Sequence, residues 1–323
     1  MATICLVGAG ALGARHLQAL RGFKEAHTIY VVEPSETSRE KAKEIYEGTP
    51  GQDNTVIFTG SLEDVAAETQ EIDAVVVATS SAPRRAIVED LVRLFHVKAM
   101  ILEKVLFQRV QDLEEIGALL KEKGIPTWVN CPRRYFEVYR GIREALADAG
   151  EFQVQVSGSQ WGMGCNGIHF IDLIAYLAGS SDARICIEGL DDEIIESKRK
   201  GFCEITGTLR GSIGRCTDFS ITSFSDGDLP MSLTVTSDRM RFIVLEWARK
   251  CIKTTAADGI TEEEIVLPFQ SQLTNIEIED ILYKGESRLT SYEESAALHK
   301  ALMEPLSDFF GQKGFDKGLC PIT

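Results

Sequence analysis

The chain has 323 residues, 44% hydrophobic and 26% charged, a globular composition that excludes a disordered or fibrous protein. At roughly 150 residues per domain, this length suggests two domains. Lys and Arg number 34 against 49 Asp and Glu, a net charge of −15 that repels phosphate backbones and anionic bilayers, so neither nucleic acid nor membrane is an expected partner.

The eight cysteines include no CxxC pair, which reads as reduced thiols with no metal-ligand spacing. Without a signal peptide or an apolar run of about 18 residues, the expected location is the cytoplasm.

Strands and helices alternate up to about residue 130. Apolar runs at 4–7, 28–33, 74–79, 99–104 and 127–130 predict strands, and amphipathic segments at 15–20, 38–46, 85–95 and 110–123 predict the helices between them. Continuous rather than alternating apolar strands imply burial on both faces, as in a doubly wound parallel sheet. The rhythm then changes. After a helix over 136–147 and another near 167–177, strands are expected at 184–190, 203–210, 214–223, 232–236, 241–247 and 264–269. Leu233 and Val235 alternate with Ser232, Thr234 and Thr236, so one sheet face is apolar and the other hydroxylated. A Ser-x-x-Glu capping box at Ser291 opens a last helix running to about Phe310. The expected fold class is α/β: a dinucleotide-binding Rossmann domain over 1–130, then an α+β domain over 131–323 with a large, open-faced, mainly antiparallel sheet.

Gly8-Ala9-Gly10-Ala11-Leu12-Gly13 follows the first strand and opens the first helix. In that context a GxGxxG loop makes a tight turn, lets backbone approach a pyrophosphate and packs helix against strand, with amides around Ala11 and Leu12 facing the anion. Glu33 ends the second strand 20 residues beyond Gly13, where a carboxylate accepts from a ribose 2′-hydroxyl and repels a 2′-phosphate. NAD is therefore expected as cofactor ahead of NADP, although Arg39 or Lys41 nearby offers a phosphate partner. Thr79 and Ser80 close another strand at its carboxyl edge, where they face the cofactor or cap the next helix. His16, one turn into the first helix, reads as a packing or phosphate-adjacent residue.

Glu103-Lys104-Val105 also ends a strand, and Cys165, His169 and Asp172 open the second half's main helix. With the glycine loop, these positions resemble the glucose–fructose oxidoreductase, inositol dehydrogenase and rhizopine-catabolism (Gfo/Idh/MocA) family, across nearly the whole chain. Its marks are the glycine motif, a Glu-Lys-Pro tripeptide and an Asp-x-x-x-His before a long helix. The resemblance implies a Rossmann domain joined to an open-faced sheet domain. It makes Lys104 the lysine touching substrate and nicotinamide, His169 the acid/base, Asp172 a hydroxyl-binding or orienting carboxylate, and Glu103 part of the cofactor site.

This sequence departs from the pattern twice. Val105 replaces the proline, so no cis peptide bond is expected there. Cys165 occupies the aspartate slot, and a thiol with a reference pKa near 8.5 cannot hold an imidazolium as a carboxylate does.

Arg133 and Arg134, after Asn130, suit a carboxylate or phosphate through bidentate contacts and hint at an anionic substrate. Trp161 reads either as a platform for a sugar ring or as a core aromatic. The function expected is an NAD(P)-dependent oxidoreductase acting on a CH–OH group of a sugar, sugar acid or sugar-nucleotide-like compound, with Lys104 and His169 catalytic and Arg133, Arg134, Trp161, Cys165 and Asp172 holding substrate. The alternative is a non-catalytic NAD-binding sensor, which Cys165 favours. A homodimer or homotetramer through the C-terminal sheet is expected from the resemblance.

Overall fold

The computed structural model describes all 323 residues. The chain divides into two compact units: residues 1–107, 111–132 and 268–293 form the first, and 108–110, 133–267 and 294–323 the second. The segment 268–293, assigned by the sequence reading to the second domain, thus folds with the first.

The first unit is built from β1 (Thr3–Val7), α1 (Ala11–Ala19), β2 (Thr28–Val32), α2 (Glu36–Glu47), β3 (Thr55–Thr59), α3 (Leu62–Ala66), β4 (Glu71–Ile72), β5 (Ala74–Val77), α4 (Ser81–Leu94), β6 (His96–Val97), β7 (Met100–Leu102), α5 (Val110–Glu122) and β8 (Thr127–Val129). Its sheet runs β17-β8-β7-β5-β1-β2-β3, with β17 (Thr290–Ser291) the single antiparallel member. β4 and β6 pair as a separate two-stranded ribbon. The central strands are buried on both faces: Ile4, Cys5 and Leu6 are fully enclosed, as are Val75 and Val77. Chain order reverses between β1 and β5, the switch point outside which α/β sheets bind ligands. Ser35 and Ser61 cap α2 and α3 by accepting from Ser38 N and Asp64 N. Strand β3 lies outside the predicted set.

The second unit holds α6 (Glu137–Ala145), β9 (Phe152–Ser159), α7 (Met163–Ala178), β10 (Ala183–Glu196), β11 (Cys203–Ile213), β12 (Cys216–Phe224), β13 (Ser232–Ser237), β14 (Met240–Leu245), β15 (Lys250–Thr255), β16 (Gly259–Glu264) and α9 (Tyr292–Gln312). Its eight-stranded sheet runs β10-β11-β12-β9-β13-β14-β15-β16, antiparallel except where β9 lies beside β12. In β9, buried Phe152, Val154 and Val156 alternate with outward Gln153, Gln155 and Ser157, the pattern of a half-covered sheet. Helix α7 packs on β11 and β12 and is apolar nearly all round. Ile168, Ile171, Leu173, Ile174 and Leu177 are fully enclosed, each burial worth roughly 1.5–3 kcal/mol.

One expected strand is corrected here, and one strand was not expected. No strand runs over the predicted 264–269: residues 265–269 are irregular, and the strands lie earlier, in the hairpin β15–β16 that turns just before Gly259, whose φ is +71°. Strand β9 was missed, because its polar half looks like a loop. No helix is long and apolar enough to cross a membrane.

Candidate functional site

In the first unit, the predicted cofactor residues gather at the carboxyl edge of the parallel sheet, at the ends of β1, β2, β5 and β7. Gly8 adopts φ +91°, the left-handed turn that glycine tolerates. A Cβ on Gly13 would sit 1.9 Å from the Gly8 carbonyl oxygen, so helix and turn pack with no room for a methyl. A Cβ on Gly10 would meet nothing within 4 Å, leaving space over the amides of Ala11 and Leu12. Gly10 is the N-cap of α1 without a side-chain hydrogen bond, and the first turn carries no acidic residue. This helix end favours an anion through its unbonded amides and its dipole.

Glu33 is anchored from both sides, Oε2 accepting from Ala9 N at 2.9 Å and Oε1 from Ser35 N at 3.0 Å. Arg39 lies beside it, with Nη1 donating to the Glu33 and Pro34 carbonyls. Ser80 takes the N-cap position of α4 but forms no capping bond. Thr79 Oγ1 is buried without a hydrogen-bond partner. A buried hydroxyl normally finds a partner, so this orphan atom beside an open glycine loop fits a polar ligand laid across the strand ends.

Glu103 ends β7 almost fully buried, and Lys104 follows it half-buried. The Lys104–Val105 peptide is cis, contrary to the expectation drawn from the missing proline. The surroundings govern this loop rather than the residue type: buried Arg84 donates to the carbonyls of Val105, Leu106 and Thr79. Burial alone would push the Glu103 carboxyl up. The hydrogen bond and charge of His16, the charge of Lys104 and the Asn130 amide overcome that and hold it below the usual carboxylate range.

In the second unit, the predicted substrate residues cluster around α7. Cys165 lies in its first turn; the thiol donates to the Thr323 carbonyl, and the backbone N–H donates to Glu204 Oε2 at 3.2 Å. A carboxylate thus does stand at this helix end, supplied by Glu204 of β11, a residue the sequence reading did not single out. Asn166 Nδ2 donates to the carbonyls of Trp161 and Gly162, fixing the turn in which Gly162 is left-handed. His169 lies one turn beyond Cys165, half-buried, on the same helix face.

The arginine pair is engaged with carboxylates of its own unit. Arg133 forms a fork with Glu246, Nε to Oε1 at 2.9 Å and Nη2 to Oε2 at 2.8 Å, while Tyr139 donates to the same carboxylate. Its guanidinium stacks 4.3 Å from the Phe170 ring centre, and Trp161 meets the same ring edge-on at 5.5 Å. The Trp161 indole N–H donates to the Thr222 carbonyl at 2.9 Å. Arg134 forks onto Asp172 at 2.8 and 3.0 Å and reaches Glu294 at 3.4 Å. Two residues predicted to contact substrate, Arg134 and Asp172, are therefore paired with each other.

Reversal of strand order, an open phosphate loop and an acidic β2 end define a dinucleotide-binding Rossmann unit. Residues 2–131 match the profile of GFO_IDH_MocA, described as an oxidoreductase family with an NAD-binding Rossmann fold. No curated protein sequence matches the chain.

Among solved structures, UDP-N-acetylglucosamine 3-dehydrogenase GnnA from Acidithiobacillus ferrooxidans superposes with a TM-score of 0.70 at 13% identity, over 94% of this chain and 96% of its own. An oxidoreductase from Agrobacterium radiobacter in complex with NAD+, L-tartaric acid and magnesium gives 0.70 at 15%, over 93% and 94%. The super-repressor mutant of Gal80p from Saccharomyces cerevisiae gives 0.68 at 14%, over 97% and 96%. At these identities the likeness is one of fold.

Proposed function

We propose that this protein is an NAD-dependent oxidoreductase that transfers a hydride between the nicotinamide and a CH–OH carbon of an anionic, hydroxyl-rich substrate such as a sugar acid. The observation that carries this reading is the orphan Thr79 hydroxyl beside the open Gly10 turn, on the sheet edge that also ends in Lys104. Gly8, Gly10, Ala11, Leu12 and Gly13 hold the pyrophosphate, Glu33 the adenosine ribose, and Thr79, Ser80 and Glu103 border the rest of the cofactor. Bound NAD supplies the hydride acceptor or donor. His169 takes or returns the hydroxyl proton, and Lys104 holds the reacting oxygen.

The acidic part of the substrate falls to Arg133, whose Nη1 lies outside the Glu246 fork, with Trp161 beside it. Arg134 and Asp172 shape that wall as a pair, and Cys165 contributes its backbone turn. The L-tartaric acid in the Agrobacterium radiobacter complex supports a polyhydroxy acid as the compound class.

Titrating NAD and NADP into the protein by calorimetry, then following reduced cofactor with a panel of aldonates, uronates, tartrate and sugar nucleotides, tests this. Tighter NAD binding and turnover of at least one acid are expected. Glu33→Ala is expected to weaken NAD by about 10- to 100-fold, the worth of a charge-assisted hydrogen bond, while weakening NADP less. Tighter NADP than NAD in the wild type overturns the role given to Glu33.

A second reading, a non-catalytic NAD-binding regulator, is favoured by the Cys165 thiol in the aspartate slot and by the Gal80p fold likeness. Tight NAD binding with no turnover of any acid decides for it. Gln153, Gln155, Thr234 and Thr236 present a broad polar face on the large sheet, where a homodimer is expected; a monomer mass in light scattering overturns that.

A further inference from the structure

At the far end of α7 from Cys165 lies a cavity of about 110 Å3, built wholly from the second unit. Arg134, Arg143 of α6, Tyr176 near the end of α7, Ser180 and Ser181 just beyond it, and Glu294 of α9 line it. At about 30 Å3 per water this space holds roughly three or four waters, room for one four-oxygen anion.

One ring gathers both arginines. Arg143 Cζ lies 4.3 Å from the centre of the Tyr176 ring, and Arg134 Cζ lies 5.5 Å from it. The two positive charges therefore stand within about 10 Å of each other, roughly the Debye length at 0.1 M salt. The chain answers them unequally. Arg134 forks onto buried Asp172 at 2.8 and 3.0 Å, and its Nη1 reaches Glu294 Oε2 at a longer 3.4 Å. Arg143 pairs with no carboxylate and donates no hydrogen bond within the protein, although the chain carries 49 acidic residues.

The neutral groups of the lining are donors. Ser180 Oγ accepts from Asp182 N at 3.1 Å, which leaves its own proton to give. Neither the N–H nor the hydroxyl of Ser181 has a partner in the protein. The charged acceptor in the lining is Glu294, half-exposed on the first turn of α9. Its contact with Arg134 shows what the cavity accepts, a carboxylate oxygen at a guanidinium nitrogen. Against an anion stand the carbonyl end of α7, worth about half a negative charge, and exposed Asp182 outside the lining. The full charge of Arg143 outweighs the helix end.

We propose that this cavity is an anion site separate from the cofactor and substrate positions, taking a phosphate ion or the terminal phosphate of a small ester between Arg143 and Arg134. The phosphate oxygens accept from the two guanidiniums and from Ser180 and Ser181, in competition with Glu294. Four donor groups suit a tetrahedral oxyanion better than a carboxylate, which has two oxygens. The site belongs to the other unit from the glycine loop and requires neither NAD nor turnover.

Titrating inorganic phosphate into the full chain labelled with 15N-arginine tests this, at fixed pH and at an ionic strength held constant with sodium chloride. The Arg143 Nε–H signal should shift along a saturating curve with a Kd on the order of 1 mM, weak because the net charge of −15 repels anions. Arg143→Gln identifies that signal by its loss; Arg143 is exposed, and Arg143→Lys serves equally should the first variant not fold. Glu294→Gln should bind phosphate about three- to tenfold more tightly, because the competing charge is gone. An ion-pair cluster with a structural role alone predicts no such gain. Failure of the Arg143 signal to saturate below about 50 mM phosphate overturns the proposal, as does a Glu294→Gln protein that binds no more tightly. Phosphate bound only at the glycine loop leaves the Arg143 signal in place, which overturns this proposal and leaves the NAD reading standing. Failure of NAD to bind counts against the oxidoreductase reading alone.

Discussion

Gly13→Ala is expected to abolish NAD binding and to destabilise the first unit by about 1–3 kcal/mol or more. The added methyl would lie 1.9 Å from the Gly8 carbonyl oxygen and 2.8 Å from its carbon. Both are backbone atoms of a turn held by Gly8 N donating to the Val32 carbonyl at 2.8 Å, so α1 must move away from β1. Gly10→Ala supplies the contrast. Its methyl enters open space, so thermal stability should hold within about 0.5 kcal/mol while NAD binding is lost, because that space is where the pyrophosphate approaches the amides. Thermal unfolding and calorimetry on the two variants separate these effects. If Gly10→Ala binds NAD as the wild type does, the phosphate site is misplaced.

Glu277→Gln is expected to make the protein more stable than the wild type at pH 8.5, by roughly 2–4 kcal/mol, while leaving the two close at pH 4.5. Glu277 lies fully buried in α8 (Thr274–Lys284), where burial first and then the charge of Glu103 push its carboxyl up. Between the ordinary carboxyl value of 4.5 and about 8, the folded wild type keeps a proton at Glu277 that the unfolded chain has released. Stability from this group is complete below the first value, falls through the window and levels off above the second. A glutamine keeps the shape of the protonated acid and removes the dependence. Urea midpoints measured from pH 4.5 to 9 read the difference directly; parallel curves for the two proteins would mean that Glu277 titrates normally.

How far the site could be read in advance differs between the units. The glycine loop, Glu33, Thr79, Ser80 and the Glu103–Lys104 end were legible because a parallel α/β unit brings its strand ends to one edge, so each residue's place follows from its strand. Cys165, His169 and Asp172 were legible as one helix face by their spacing of four and three. The partners were not. Arg133 finds Glu246 across 113 positions, and Arg134 finds Asp172 across 38, so each guanidinium of the pair is forked onto a carboxylate of its own unit before any ligand is considered.

The buried hydrogen-bond circuit of His16, Glu103, Asn130, Gln270 and Thr274 escaped altogether. His16 sits in the first helix, while Gln270, Thr274 and Glu277 come from a segment about 250 residues later that the pattern assigned to the other domain. The one signal was His16 itself, a polar residue on the otherwise apolar buried face of its helix.

Residue order alone determined the class of the first unit, its glycine turn after the first strand and the change from parallel to mainly antiparallel sheet. Those depend on local periodicity and on glycines whose conformation is set within a few residues. Which charges meet, which carboxyl keeps its proton and how the Lys104–Val105 peptide is held were decided only in the folded chain. Each of these is fixed by burial together with a partner brought from far along the sequence, and neither is a property of the residue's neighbours in the chain.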